Sequence, residues 1–403
     1  MQNNDLQVTL SSGSLTIDIR VFWALLNLSH IKTYAAYRLA LLEKSIKFSD
    51  LKFLALKADV PYPLFFSPLD KVLRQIWDFD NELNNKIPSK EELSLNSRGR
   101  LKVEDIKLIL KDLSRRQGLL SKQLLPTAPV NTYVGSIAKL VKGGTSSSVL
   151  ATTLRDALCI NLDDFRSTTK EGGLSYLVEK AEAQGIFVSF SSHHYMPQNL
   201  KDVEMSGICL KDSKFPFIFI NTKDGDDNPE IIEPAGRQIF TLLTMLVCIA
   251  MNRFVFSSKT KESKLPHMKI ANEVVGEVLI PESDLSGITV RNLEDIKKVA
   301  TFFKVTPSMC LVRLSQKGII SRPLANELRT QLAEEVKGKG GIPRQPLPVN
   351  AYLKYNGSRF SREVLTAEKK GIIHGDVVRN ALFRKGKKMD PNLLRDYRAK
   401  LRL

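Results

Sequence analysis

The sequence predicts an α+β protein that is mostly helical, with a helical amino-terminal unit, a central domain carrying a small sheet, and a helical carboxyl-terminal unit. Three observations carry this. Apolar residues recur at helical spacing through most of the chain, and two short runs, 186–190 and 215–221, read instead as strands. Polar or Gly/Pro-rich stretches separate the blocks. A chain of 403 residues also exceeds what one compact core usually holds. The expected divisions are 1–80, a linker and long helix over 81–130, a central domain over 131–330, and a Gly/Pro linker, small helical unit and basic tail over 331–403.

Residues 18–28 are apolar at helical spacing and predict a first helix, and 29–45 a second. A third starts at Ser49, an N-cap type, with Leu51, Leu54, Ala55 and Ala58 on one side. Pro61 and Pro63 stop it before the apolar plug Leu64-Phe65-Phe66. These helices fit a helix-turn-helix unit and fit any small helical domain equally. Residues 81–98 are polar and read as a linker. A long amphipathic helix follows over 103–125, with Val103, Ile106, Ile109, Leu110 and Leu113 on one face. Gly143-Gly144 and the serines after them read as a flexible loop without the GxxxxGKS/T order of a phosphate cradle.

A helix over 174–184 stops at Gly185, and the strand 186–190 follows. The run 215–221 (FPFIFIN) is nearly all apolar and predicts a buried strand. The acidic turn 224–230 precedes an apolar helix over 238–251; a further helix over 269–279 ends at Pro281. Short helices over 290–303 and 307–317 come next, with Gly318 as a stop. The Gly/Pro linker 337–348 leads to a helical unit over 360–382.

The chain carries 60 Lys+Arg against 43 Asp+Glu, a formal net charge of +17, which favours anionic partners. Eight of the basic residues fall in the last 24 positions: Arg384, Lys385, Lys387, Lys388, Arg395, Arg398, Lys400 and Arg402. On a helix starting after Pro391, Arg395, Arg398 and Arg402 would share one face able to follow a phosphate backbone. The same residues also fit a solvated basic tail. Cys159, Cys209, Cys248 and Cys310 are scattered among apolar neighbours, which predicts inert thiols in a reducing compartment. Met1 to Asp5 shows no signal-peptide pattern, and the longest apolar run, 239–251, is too short to span a bilayer. A soluble cytoplasmic protein without a membrane partner is expected.

Several segments carry a family resemblance by their order. FPFIFIN (215–221) is followed by Arg237-Gln238-Ile239-Phe240-Thr241-Leu242. Then come Ala271-Asn272-Glu273 through Leu279-Ile280-Pro281, and Val305-Thr306-Pro307-Ser308 through Arg313-Leu314. Gly340-Gly341 and Asn356-Gly357-Ser358-Arg359-Phe360 follow near the carboxyl end, while residues 51–66 sit near the other. Together these resemble the ImmA/IrrE metallopeptidase-like family, in its longer members linked to an XRE-type helix-turn-helix. The resemblance implies a zincin-like core. It also implies an HExxH helix with two His zinc ligands, a Glu that serves as general base, and a ligand Glu from the next helix.

The chemistry departs at those positions. Aligned on Phe240, the His, Glu and His positions fall on Thr244, Met245 and Cys248 within Thr244-Met245-Leu246-Val247-Cys248, and the second-helix Glu falls on Met268. Only Cys248 among them is a zinc-ligand type. A relocated set of Cys248, His267 and His193 is the alternative, although His267 points about 100° away from the Met268 direction on a helix. The expectation is therefore a pseudopeptidase with no catalytic residues, metal or cofactor. The resemblance implies regulation in phage or toxin–antitoxin settings through DNA or a protein partner. The rivals are a zinc peptidase with relocated ligands that cleaves a repressor, and a structural subunit of an intracellular complex. Base-edge readers in the amino-terminal unit would be His30, Lys32, Thr33, Tyr34 and Arg38.

Overall fold

The computed structural model describes residues 5–86, 103–192, 195–200, 203, 205–223, 233–254, 256–257, 266–336, 347–383 and 390–403. The chain opens on a hairpin, β1 (Asp5–Leu10) and β2 (Gly13–Asp18), paired antiparallel, with Leu10 opposite Gly13. Asp18 then caps α1 (Ile19–Leu26), its carboxylate accepting from the Arg20 amide at 2.8 Å. After α2 (Ser29–Lys32) and α3 (Ala35–Glu43) the chain turns at Lys44, whose φ is 51°, into β3 (Ser45–Lys47). That strand pairs parallel to β1, giving a sheet of order β2-β1-β3. Leu6, Val8 and Ile46 point inward against α1 and α4 (Phe48–Lys57), while α5 (Leu69–Asn84) packs along α1.

The expectation of a purely helical amino-terminal unit is thus corrected: a three-stranded sheet sits among the helices. The predicted helix over 29–45 is broken into α2 and α3 plus a strand. The expected linker at 81–98 starts late, because α5 continues to Asn84; residues 87–102 lie outside the described residues.

The predicted helix over 103–125 is a 3-10 turn, then α6 (Lys107–Leu119), then a wider π turn over Leu120–Leu124. Its predicted apolar face holds, with Ile106, Ile109, Leu110 and Leu113 all buried. Next come α7 (Ala138–Lys142), α8 (Ser147–Ala157), α9 (Leu162–Ser167), α10 (Lys170–Ala183) and β4 (Phe187–Phe190). The second sheet continues with β5 (Gly207–Leu210), β6 (Phe217–Ile220), the helix α11 (Ala235–Ala250) and β7 (Phe256–Ser257). Its order is β4-β6-β5-β7, with β4 and β6 parallel and β5 antiparallel to both neighbours. Then follow α12 (Pro266–Leu279), α13 (Leu293–Phe302), α14 (Pro307–Gln316) and α15 (Arg322–Val336).

This sheet is the middle layer of the molecule. Val188, Cys209, Ile218 and Ile220 face one core, shared with α8 and α10 to α15. Phe187, Ile208, Leu210, Phe217 and Phe219 face a second core. Both faces are covered, so all of β5 and β6 is buried and both read as continuous apolar runs. The second core is closed by α6 and by α16 (Pro348–Asn356), α17 (Ser358–Lys369), α18 (Gly375–Leu382) and α19 (Pro391–Leu401). The carboxyl-terminal helices are therefore a wall of the sheet layer. Among the described residues no helix is long and apolar enough to cross a membrane.

Candidate functional site

The four positions that the zinc motif would occupy lie at the centre of the first core. Residues Leu242 to Ala250 are buried on every side of α11, an all-round apolar helix between the sheet and α12. Thr244 turns its hydroxyl back to the Phe240 carbonyl at 2.8 Å, so its one donor is used within the helix. Met245 lies over Gly207 of β5. A Cβ on Gly207 would stand 2.9 Å from Thr241 and 3.1 Å from the Phe219 carbonyl, so the glycine permits this close approach. The Cys248 Sγ meets Met268 Sδ of α12 at 3.9 Å. Helix α12 thus brings Met268 to the place the second-helix ligand would take.

These residues do not fit zinc. Burial, with Cys209 as a lesser influence, pushes the Cys248 thiol well above its usual range, whereas a zinc ligand must be a thiolate. A thioether, a hydroxyl bonded to its own helix and a buried neutral thiol give no charged donor set. Among the described residues no group of three His, Cys, Asp or Glu side chains is placed to hold a metal. Of the relocated set, His267 is half-buried at the start of α12, and His193 lies outside the described residues. The acidic turn 224–230 lies outside them too.

The other motif segments act as joints between elements. Gly236, at the start of α11, rests on the Val305–Thr306 backbone, where a Cβ would come within 2.8 Å of Val305. On α12, the buried Glu277 pairs with the buried Arg313 of α14 at 2.6 Å. Arg313 also donates to the Ile280 carbonyl from Nε and Nη2, at 3.2 and 3.1 Å. Burial pushes the Glu277 carboxyl upward, but the Arg313 hydrogen bond, the Glu282 amide and the Arg313 and Lys317 charges outweigh it, leaving the group below its usual range.

Asn356 is a second joint. Its amide donates to the Leu382 carbonyl at 2.8 Å and to Tyr397 Oη at 3.0 Å, and its oxygen accepts from Arg116 at 3.0 Å. Arg116, also buried, pairs with Asp112 at 2.9 Å and lies 4.4 Å over the Tyr355 ring, whose hydroxyl donates to Asp112. Gly357, at φ 78°, lies so close to the Val188 carbonyl of β4 that no side chain fits there. The next turn sets the Arg359 amide 3.0 Å from a Glu182 carboxylate oxygen. Burial raises Glu182 to about 7, against the opposing pull of Arg359 and Arg362. In the sequence these residues are only a motif; the partners stand 26 to 240 positions away.

Of the predicted nucleic-acid residues, Arg384, Lys385, Lys387 and Lys388 lie outside the described residues. Helix α19 does start at Pro391. Arg395 is exposed beside Asp396, while Arg398 turns back to Glu368 of α17 at 2.7 Å. Arg402 follows the helix at φ 57° and leaves its register. The three arginines therefore do not form one continuous face. Among the base-edge candidates, His30 bonds to the Tyr34 hydroxyl at 3.1 Å, and Thr33 bonds to the His30 carbonyl. Lys32 and Arg38 are exposed. The thiol expectation needs one correction. Cys159 is exposed at φ 51° in the turn after α8, whereas Cys209, Cys248 and Cys310 are buried.

A cleft of about 280 Å³ opens between α4, α6, α16 and α18. Leu56, Tyr195, Tyr352 and Phe383 are among its walls, and Asp59, Asp112, Arg115 and Arg116 are among its polar residues. No family model, curated protein or solved structure matches this chain.

Proposed function

We propose that this chain is a non-catalytic binding protein, a cytoplasmic regulator of ImmA/IrrE-like build that works by holding DNA or a protein partner. The observation that carries this reading is the contact of Cys248 with Met268 inside a sealed helix pair, at the positions where a peptidase of that build would hold its metal. Among the described residues, a chemistry that needs zinc-bound water finds no donor set there. The net charge of +17 favours an anionic partner, and the basic residues at 384–402 supply salt-dependent affinity without base readout. Deleting that tail is no fair test, because Leu394 and Tyr397 are buried in the second core. Neutralising Arg384, Lys385, Lys387, Lys388 and Arg395 to Gln removes the charge while keeping Leu394 and Tyr397 in place.

The purified protein is expected to carry far less than one zinc per chain. It is expected to bind a random DNA duplex steeply with salt, with little preference between sequences, and more weakly in the neutralised variant. About one tightly held zinc per chain, lost in Cys248→Ala, would overturn the non-catalytic reading. Equal DNA affinity and equal salt slope in the two proteins would remove DNA and leave the protein partner.

A further inference from the structure

We infer that the α3–α4 face of the amino-terminal unit, together with the cleft beside it, docks an acidic amphipathic helix of a protein partner. The inference rests on the regulator reading and names its partner. Ten of the nineteen large apolar residues left exposed among the described residues lie between Leu15 and Trp77, in a unit that makes up about a fifth of the chain. On α3, Leu39 and Leu42 are exposed one turn apart; on α4, Phe53 and Leu56 are exposed at the same spacing. The Tyr34 ring meets the Phe53 ring edge-on at 5.3 Å and joins the two helices at one end. Exposed apolar side chains at i and i+3 give each of these helices an apolar strip suited to the apolar face of a partner helix.

The charge around these helices is mostly positive. Between Ser29 and Lys57 the basic residues are Lys32, Arg38, Lys44, Lys47, Lys52 and Lys57, against Glu43 and Asp50. Lys52 and Lys57 lie over the Phe48 and Phe53 rings, at 5.6 and 5.4 Å, which holds their charge close to the apolar surface. A partner that covers Leu42 and Leu56 therefore meets lysines at the rim, and acidic residues complement them. Nucleic acid fits less well: base-edge readers are short polar side chains, and the exposed centre of this face is leucine and phenylalanine.

The cleft supplies the anchoring pocket. Leu56 and Lys57 line it, so the exposed strip of α4 reaches the cleft. Its charges are spent on one another: Asp59 pairs with Arg115 and Lys111, and Asp112 with Arg116 and the Tyr355 hydroxyl. What remains for an incoming group is the wall of Leu56, Leu108, Tyr195, Pro197, Tyr352 and Phe383. One large apolar or aromatic side chain of the partner fits there, as the buried centre of a docked interface.

The test uses the full chain and a fluorescent helix-forming peptide of Ala and Glu carrying a Leu/Phe stripe at i, i+4 and i+7, with the same peptide carrying Lys for Glu as control. Anisotropy is expected to show the acidic peptide binding at least tenfold tighter than the basic one, and more weakly as salt rises. Leu56→Ser, which alters only an exposed side chain, and Ala381→Phe, which fills the cleft from its rim, are each expected to weaken binding about tenfold. Should Ala381→Phe fail to fold, Leu56→Ser and Lys52→Glu decide alone. Equal binding of the two peptides, undiminished binding by Leu56→Ser and Lys52→Glu, or displacement of the peptide by a DNA duplex would each overturn the inference. The zinc measurement is separate, so a peptide that fails to bind a zinc-free protein removes this face and leaves the regulator reading standing.

Discussion

In the central domain Thr244, Met245, Cys248 and Met268 are at most 4% exposed, and each of their polar or polarisable atoms is turned inward. In the amino-terminal unit Leu42 is 81% and Trp77 64% exposed, and the helices that carry them bury only their opposite faces. Both regions are helix pairs rich in apolar residues. The difference is in what surrounds them: α11 and α12 have a sheet on one side and helices on the others, whereas α3 and α4 have a core on one side only. A helix enclosed on every side has no surface through which to act on another molecule. A helix pair with an uncovered apolar face and a mostly basic rim has that surface. The centre of the molecule is closed by packing, and its uncovered apolar surface lies at the amino-terminal edge.

The largest effect on stability is expected at Glu277 and Arg313. Arg313→Ala leaves the buried Glu277 carboxylate with Lys317 at 3.4 Å as its remaining cation, and removal of one partner of a buried pair costs about 3–5 kcal/mol. Urea unfolding is expected to show that loss at pH 7. Because the folded Glu277 carboxyl lies below its usual range, the stability it supplies is present above the unfolded value and is lost as pH falls. The gap between wild type and variant is therefore expected to narrow toward pH 4. A gap independent of pH would mean the pair contributes by packing alone.

Next in size is the sealed site. Met268→Ala removes a buried thioether against Cys248 and is expected to cost about 2–4 kcal/mol, read from the shift of the urea midpoint. Met245→Glu is expected to lower the thermal midpoint strongly, since it buries a carboxyl in the apolar first core, and to yield no proteolysis of any repressor substrate. Proteolysis by Met245→Glu would show that the centre of the molecule still carries chemistry.

How far the sequence reveals all this depends on where each signal comes from. The α11 helix, the buried strand β6 and the apolar face of α6 are legible because their patterns are local: a long apolar run, FPFIFIN, and a repeat of three and four. The lack of ligand chemistry at Thr244, Met245 and Met268 is legible for the same reason, since residue type alone decides it. The hairpin β1–β2 is hidden because β2 has one buried residue, Ile17, so its alternation is weak. Strand β5 is hidden in four residues that begin with glycine. The joints are hidden by distance: Arg116 and Asn356 meet across 240 positions, and nothing near either one says so. The docking face is hidden because exposure is a property of the packed chain; Leu42 and Leu51 look alike in sequence, yet one is at the surface and the other in the core.

A smaller effect comes from Glu182, which lies on neither side of the comparison and holds the carboxyl-terminal wall to α10. Its folded value of about 7 lies above the ordinary carboxylate range, mainly through burial. A raised carboxyl favours the folded state most below its unfolded value and loses that advantage as pH rises through 7. Glu182→Gln is expected to gain about 1–2 kcal/mol over wild type at pH 8, after allowing for the lost charge at the start of α17, and nothing near pH 4, below the unfolded value. A loss at pH 8 would show that the carboxylate, held by the Arg359 amide and the nearby guanidinium groups, is the stabilising form.

The smallest expected effect on stability is at Leu42, and it sharpens the comparison most directly. Leu42 is the most exposed large apolar residue among those described, on a helix that buries Tyr37 and Ala40 instead. Replacing it with serine removes little buried area, so unfolding free energy is expected to change by less than about 0.5 kcal/mol. Solubility is expected to rise, because an apolar side chain of the exposed α3 strip is removed. Leu51→Ser, nine residues on and fully buried on α4, is expected to lose several times as much, since it both opens a cavity and buries a hydroxyl in the amino-terminal core. Parallel urea titrations of the two variants measure the contrast. Comparable losses would mean that Leu42 is covered in solution, by a second copy of the chain or by another part of it, and that the α3–α4 face is already occupied.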